Sequence, residues 1–430
     1  MCADWPTVRL GDVAAIITGF PFKSQNYTDA AAAPRLLRGD NIAQGWLRWD
    51  GVKRWPSNMT SELHDYWLAP EDIVLAMDRP WIDAGLKYAC LSVHDLPALL
   101  VQRVARLRGG PRLHIGFLRH LIGSPSFTDY IRGIETGTAV PHISAPQIKS
   151  FEFALPPLPT QKAIAALLGA LNDKMHLNRR MSETLEGMMR TIFKNWFVDF
   201  GPTQAKIEGQ RPYLAPEVWS LFPSRLDDEG KPEGWKFLPL DEVADFLNGL
   251  ALQKFPGNGI GDLPVIKIAE LRSGITAKSD LASNAIPKPY IVDDGDILFS
   301  WSGSLTQKIW TGGRGALNQH LFKVTSRKFP KWFHYLWVDH HLPAFQAIAA
   351  SKATTMGHIQ RYHLNEAETV IAAAPLMKAA NRLIAPLFDR LVESDLETHT
   401  LAATRDLLLP KLMSGEIRIR DAEKIVEAAA

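Results

Sequence analysis

Leu10-Gly11-Asp12-Val13-Ala14 and Leu240-Asp241-Glu242-Val243-Ala244 state one short sequence twice. Working outward from this pair, Leu36-Leu37-Arg38 matches Val265-Ile266-Lys267, and Asp72-Ile73-Val74-Leu75 matches Asp296-Ile297-Leu298-Phe299. Thr138 and His142 then fall opposite Thr354 and His358. The offset drifts from about 230 to about 216, as it does when insertions collect in loops. Each copy ends in a long helical stretch. A period this long means two duplicated domains and not a solenoid, whose units run to about 20–50 residues. Two copies of one domain can present two similar faces to one partner, and duplex DNA is the natural partner with two similar, spaced faces.

The 430 residues, 46% hydrophobic and 22% charged, are ordinary for a globular chain of two to four domains. No apolar run reaches the roughly 18 residues needed to span a bilayer. The N-terminus lacks a signal peptide's basic and apolar segments, so the chain is expected to be cytoplasmic and to touch no membrane. With only Cys2 and Cys90, a disulfide framework and a cysteine metal site are both excluded. The net charge of +2 neither demands nor excludes nucleic acid, because a basic strip can be balanced elsewhere.

Strand-like runs are Ile73–Ala76, Tyr88–Leu91, Val101–Leu107, Leu263–Ala269, Ile297–Ser300 and Leu321–Val324. Short helices are predicted at Ile115–Leu121, Phe127–Ile131, Trp332–Leu342 and Pro343–Ala350. Leu155-Pro156-Pro157-Leu158-Pro159 is a stop, and Thr160 follows as an N-cap. From Gln161 to Trp196, apolar residues recur mostly three or four positions apart through Ile164, Leu168, Leu171, Met175, Met181, Leu185, Met188, Met189 and Phe193. That is one amphipathic helix of about 36 residues, a rod of about 54 Å. Residues 201–234, rich in Gly, Pro and charge, read as a linker. A second helix is predicted over Lys378–Met413, with Pro386 kinking it or marking its first turn. The two helices can bury their stripes on each other as an antiparallel pair that holds the globular domains apart. Arg179, Arg180, Glu183 and Arg190 would lie on its outer face.

No catalytic constellation stands out. There is no Walker A pattern, Gly-rich dinucleotide loop, Asn-Pro-Pro-aromatic tetrapeptide or His-Glu-x-x-His. His340-His341 reads as packing, and Asp293-Asp294 with Asp296 as a turn before a strand rather than a metal site.

Four stretches resemble the specificity subunit of type I restriction–modification enzymes. Leu155-Pro156-Pro157-Leu158-Pro159-Thr160-Gln161 resembles the family's Pro-Pro-Leu-x-x-Gln entry to the central helix. Asn178-Arg179-Arg180-Met181 leads to Phe193-Lys194-Asn195-Trp196-Phe197-Val198-Asp199-Phe200. Leu408-Leu409-Pro410-Lys411-Leu412-Met413-Ser414-Gly415-Glu416-Ile417 lies near the C-terminus. Gly19-Phe20-Pro21-Phe22-Lys23-Ser24 and Arg38-Gly39-Asp40-Asn41-Ile42 are similar to segments opening the recognition domains. Two places depart from the pattern. The second helix opens on Ala374-Pro375-Leu376-Met377-Lys378, and Asn248–Gln253 matches Gly19–Ser24 poorly.

The resemblance implies an α+β fold. Two duplicated mixed α/β target recognition domains, residues 1–155 and 235–374, are separated by two long antiparallel, coiled-coil-like helices, 156–200 and 375–420, in pseudo-twofold arrangement. A linker (201–234) and a C-terminal tail (421–430) complete the chain. It also implies a non-catalytic subunit that reads a bipartite, asymmetric site in double-stranded DNA. Two S-adenosylmethionine-dependent modification (adenine methyltransferase) subunits and ATP- and Mg-dependent restriction subunits would assemble on it, with no cofactor in this chain. The alternatives are a specificity subunit of a related system cutting beside its site, a DNA-modifying enzyme with an unrecognised active site, or a coiled-coil scaffold. Contacts to DNA need Lys, Arg and small polar donors for phosphates, and Arg, Asn or Gln for bases. The first domain offers Lys23, Ser24, Arg38, Asn41, Arg79, Arg103, Thr136, Gly137, Thr138 and His142. The second offers Lys267, Ser300, Ser302, Asn318, Gln319, His320, Thr354, Thr355 and His358. Trp81 and Trp301 could stack on bases, though core packing is their ordinary role.

If the helices set the spacing, the rod of about 54 Å covers about 16 base pairs. Inserting four residues within Leu171–Leu185 should then add about 6 Å, nearly two base pairs, to the spacer. Mapping the recognised site checks this: unchanged half-sites at a longer spacing are expected, and an unchanged spacing refutes the ruler.

Overall fold

Ile73–Ala76 is fully buried along its length because it is a central strand with both faces covered. It lies in a four-stranded antiparallel sheet between Val104–Gly109 and Tyr88–Cys90, with Ala14–Thr18 on the far side of Val104–Gly109. A parallel pair, Arg35–Leu37 with Ala98–Leu100, lies beside it in sequence, and Thr7–Arg9 pairs with Glu152–Ala154. This computed structural model describes residues 5–82, 85–134, 141–351 and 357–429. It divides into two compact units, 1–174 with 400–430, and 175–399.

The second unit repeats the connectivity. Ile297–Ser300 is central between Leu321–Thr325 and Gln307–Ile309, with Asp245–Asn248 beyond. Leu263–Ile266 runs parallel to Gly315–Leu317, and Lys236–Pro239 pairs with Glu368–Ile371. Individual bonds recur. Gly19 N–H donates to Val104 O (3.1 Å) and Gly249 N–H to Leu321 O (3.0 Å). Gln102 N–H donates to Phe20 O and Gln319 N–H to Leu250 O, both at 2.9 Å. Both glycines are dictated by a close crossing. A Cβ at Gly19 would fall 2.3 Å from Val101 O, and one at Gly249 would fall 2.2 Å from Asn318 O. The weak sequence match over Asn248–Gln253 therefore hides a matched backbone. Before each central strand a carboxylate holds a turn: Asp72 accepts Ala69 N–H (2.8 Å) and Asp296 accepts Asp293 N–H (2.9 Å).

The first long helix is Leu158–Phe193, 36 residues, closing in a π turn over Lys194–Val198. It starts before Thr160, so Thr160 is not its cap, and Pro159 sits in the first turn, where its missing N–H costs nothing. Gln161 anchors the entry. Fully buried, it accepts His114 N–H (2.8 Å) and donates to Arg112 O (2.9 Å) and Pro156 O (2.8 Å). The second long helix, Ala374–Ser414, runs unbroken through Pro386. Pro386 is exposed, on the solvent side of the helix, where a missing backbone bond is tolerated best.

The helices pair within each unit. In the second, Asn178, wholly buried, donates to Glu397 Oε2 (2.8 Å), and Ser182 donates to Asp395 Oδ1 (3.0 Å). In the first, Arg405 donates to Asn172 Oδ1 (3.2 Å). Partners descend as the first helix ascends, which is antiparallel pairing. The stripe holds at Ile164, Leu168, Leu171, Met175, Met189 and Phe193, but Met188 is exposed. Arg190 is engaged as well: it grips Asp339 with two bonds of 2.8 and 3.0 Å.

Other expectations are corrected. Leu263–Ala269 is a strand only to Ile266, then a helix over Ile268–Ser273, because Glu270 caps Lys267 N–H. The two helices expected over Trp332–Ala350 are one, Lys331–Ser351, with an exposed Pro343 inside. Residues 201–234 are no bare linker. They form helices Gly201–Ile207 and Pro216–Trp219, and they bury Phe222 in the core around Phe197, Trp235, Trp332 and Phe333. The expected tail is a helix, Ile419–Ala429. Among the described residues no helix is long and apolar enough to cross a membrane.

His334 lies 1% exposed inside Lys331–Ser351, and burial pushes its pKa down to about 4. Its charged form is therefore disfavoured in the fold. Stability held above the ordinary histidine pKa of about 6.5 is lost as pH falls from there toward 4, by about 3 kcal/mol in all. Urea unfolding from pH 7 to 4.5 should show this fall, and a smaller one in His334→Leu. Equal pH slopes in both proteins would refute the assignment.

Candidate nucleic-acid interface

Three turns of the first unit meet at one cleft of about 370 Å³. Arg38 follows the strand Arg35–Leu37, Asp78 and Arg79 follow the central strand, and Gln102-Arg103 link Ala98–Leu100 to Val104–Gly109. Lys87 also lines it. Arg103 Nε stands 3.6 Å from Asp78, and Arg38 lies 3.3 Å from Asp40. Both pairs are solvent-exposed and add little stability, so the guanidinium groups remain available.

The backbone pins these turns. Arg79 N–H donates to Pro141 O (2.7 Å), Ile143 N–H to Met77 O (2.8 Å), and Asp78 bridges His142. Met77 N–H donates to Arg103 O (2.9 Å). Arg79 (φ 44°) and Arg103 (φ 67°) both sit in the left-handed region, which costs roughly 1–2 kcal/mol for a residue with a Cβ. Strain of this kind gathers where a side chain must be aimed.

The second unit frames the same edge with other side chains. Ser302 bridges His358, Gly303 N–H donates to Gly357 O (2.8 Å), and Ile359 N–H donates to Trp301 O (3.0 Å). By this pairing Asp78 corresponds to Ser302 and Arg79 to Gly303, whose φ is 66°. Gln102 corresponds to Gln319, Arg103 to His320 and Arg38 to Lys267. Ser302 Oγ lies 3.0 Å from His320 Nδ1. Trp301 packs against His320, His358 and Phe322, and its indole N–H serves Asn248 Oδ1 (2.9 Å) and Gln319 O (3.1 Å). Lys267 is ion-paired with Asp280.

The predicted residues divide. Arg38, Arg79 and Arg103 come together at the cleft, with His142 beside Asp78. Ser302, Gln319, His320 and His358 gather around Trp301. Lys23 and Ser24 are exposed on a turn outside the cleft lining. Four residues are corrected. Ser302 is buried, with its hydroxyl against His320. Asn41 is buried and spends its amide on Arg38 N–H and Arg48 O, both at 3.0 Å. Ser300 is fully buried, its hydroxyl closing the turn through Ser304 O and Thr306 N–H. Asn318 is buried, its Oδ1 capping His320 N–H. The side chains of Asn41, Ser300 and Asn318 are spent on their own turns. Thr136, Gly137, Thr138, Thr354 and Thr355 lie outside the described residues. Trp81 is half-buried under the Arg132 guanidinium, 4.6 Å from its ring centre.

Sequence reading missed Lys87, Asp78 and Gln102. The repeat held the signal for Gln102, since Leu100-Val101-Gln102-Arg103 aligns with Leu317-Asn318-Gln319-His320. The three aspartates weighed as a metal site diverge: Asp293 to Arg314, Asp294 to Gly313 N–H and Asp296 to Lys323. His340 and His341 pack on Trp337.

The chain is similar to known proteins in a consistent way. Residues 118–187 and 232–403, more than half of the chain, match the model of the type I restriction modification DNA specificity domain. The EcoAI specificity subunit of Escherichia coli is 38% identical over 170 residues, which is 39% of this chain and 28% of that protein. The MjaIX specificity subunit of Methanocaldococcus jannaschii is 23% identical over 71% of this chain and 69% of its own length. The fold is similar to the crystal structure of a type I restriction-modification S subunit from M. genitalium. That likeness has a TM-score of 0.57 at 14% identity, over 95% of this chain and 96% of the other. The matched helices, the repeated strand order and the family model agree: the chain belongs to the type I restriction modification DNA specificity domain family.

Proposed function

We propose that this chain is the sequence-reading subunit of a type I restriction–modification system. Each unit reads one half of a bipartite, asymmetric site in double-stranded DNA, and the paired helices act as the spacer between readers. One observation carries the reading. The same backbone bonds frame the same edge in both units, while the side chains on that edge differ. Such a duplication keeps the scaffold constant and lets each copy specify its own bases. Arg38 and Lys267 supply a cation at the same place in both units, which suits a phosphate contact common to any sequence. Gln102-Arg103 and Gln319-His320 differ in their second residue, which suits base reading.

The chain itself carries out no chemistry in this proposal. Methyl transfer, with S-adenosylmethionine, and ATP- and Mg-dependent cleavage belong to modification and restriction subunits assembled on it. The test is DNA binding by the purified chain with its co-expressed partners. Affinity should fall steeply with rising salt and depend on sequence, and the chain alone should transfer no methyl group. Methyl transfer by the isolated chain would replace this proposal with an enzyme.

A further inference from the structure

Among the described residues, the first unit buries two cations without an ion-pair partner: Arg106, whose guanidinium donates to Asp65 O and Trp67 O, and Lys87, whose ammonium is bonded to nothing. Lys87 is 7% exposed, and among the described residues it has no hydrogen-bond or ion-pair partner for its ammonium. Burial pushes its pKa down. Asp40 pulls the other way, and Arg48 and Arg79 push it further down. It lines the cleft beneath Arg38, Arg79 and Arg103. Arg38 and Arg103 face Asp40 and Asp78, but Arg79 has no ion-pair partner among the described residues. A recessed lysine whose ammonium is bonded to no carboxylate is poorly compensated, and it is tolerable where an anion arrives in the cleft to complete the site.

We propose that Lys87 and Arg79 clamp a DNA backbone phosphate in this cleft. This deepens the DNA-reading function and rests on it. A recessed cation meets groups that protrude. Phosphates stand proud of the duplex, whereas base edges lie within a groove about 8.5 Å deep. The clamp belongs to the first unit alone. Ala76 N–H donates to Lys87 O (3.0 Å) as Ser300 N–H donates to Thr306 O (2.9 Å), so Thr306 holds the matching place and Gly303 that of Arg79.

The test uses the full chain assembled with its partner subunits and duplexes carrying the mapped site. Lys87→Met is expected to weaken binding about tenfold. It should flatten the slope of log affinity against log salt by about 0.9, leave base preference unchanged, and not lower stability in urea. Arg79→Gly, which places at φ 44° the residue used at Gly303, should do the same and guards against a folding defect in the lysine variant. Unchanged affinity and slope in both variants, with sequence-specific binding by the wild type, overturns the clamp alone. A changed base preference overturns phosphate in favour of base contact. Absence of salt-dependent DNA binding in the wild type overturns the DNA reading itself.

Discussion

Replacing Gln102 and Arg103 together with alanine is expected to cost about 3 kcal/mol of binding to the cognate site, roughly a hundredfold. The loss should fall on one half-site only. Both side chains project from the turn between Leu100 and Val104, and both are exposed. Arg103 is tethered only loosely, 3.6 Å from Asp78, while its carbonyl and its left-handed backbone hold the turn tip in place. Arginine offers a bidentate fork to the O6 and N7 acceptors of guanine, and a glutamine amide matches N6 and N7 of adenine. Selection from DNA randomised at each half-site in turn measures the effect. Degenerate preference at one half with the other intact is the expected outcome. Equal loss at both halves would mean that the first unit does not read a half-site by itself.

Phe197→Ala is expected to destabilise the second unit by about 3–5 kcal/mol and to lower its melting temperature by roughly 10 °C. Phe197 is fully buried in the π turn that closes the first long helix. Its ring centre lies 5.6 Å from Phe193 and Phe333, 5.9 Å from Trp235 and 6.1 Å from Trp332. Removing it empties the middle of an aromatic cluster that cannot collapse without shifting several large rings. Leu177→Ala, at a residue 58% exposed on the same helix, is the control and should change stability by less than about 0.5 kcal/mol. A loss under about 1 kcal/mol for Phe197→Ala would show that the helix end is not anchored there.

Much of the fold was legible because periodicity averages over length. Thirty-six residues with apolar spacings of three and four leave no alternative to a helix, and Asp72 and Asp296 mark the same turn in both copies. Errors gathered where a residue type has two uses. An asparagine in a loop can read a base or hold its own turn, and Asn41 and Asn318 do the latter. Pro386 suggested a kink or a first turn because composition does not say that its side chain faces water. Residues 201–234 looked like a linker because isolated aromatics such as Phe222 carry no period. At the candidate site the arginines were found by residue type. Lys87 was not, since a lysine beside an apolar strand gives no sign that it points into a cleft.

Base-resolved mapping of methylation in cells carrying this chain with its neighbouring genes tests the duplicated-reader account most directly. The account predicts one motif made of two differently specified blocks separated by a fixed run of unspecified base pairs. A single continuous motif, or methylation without a motif, would contradict it.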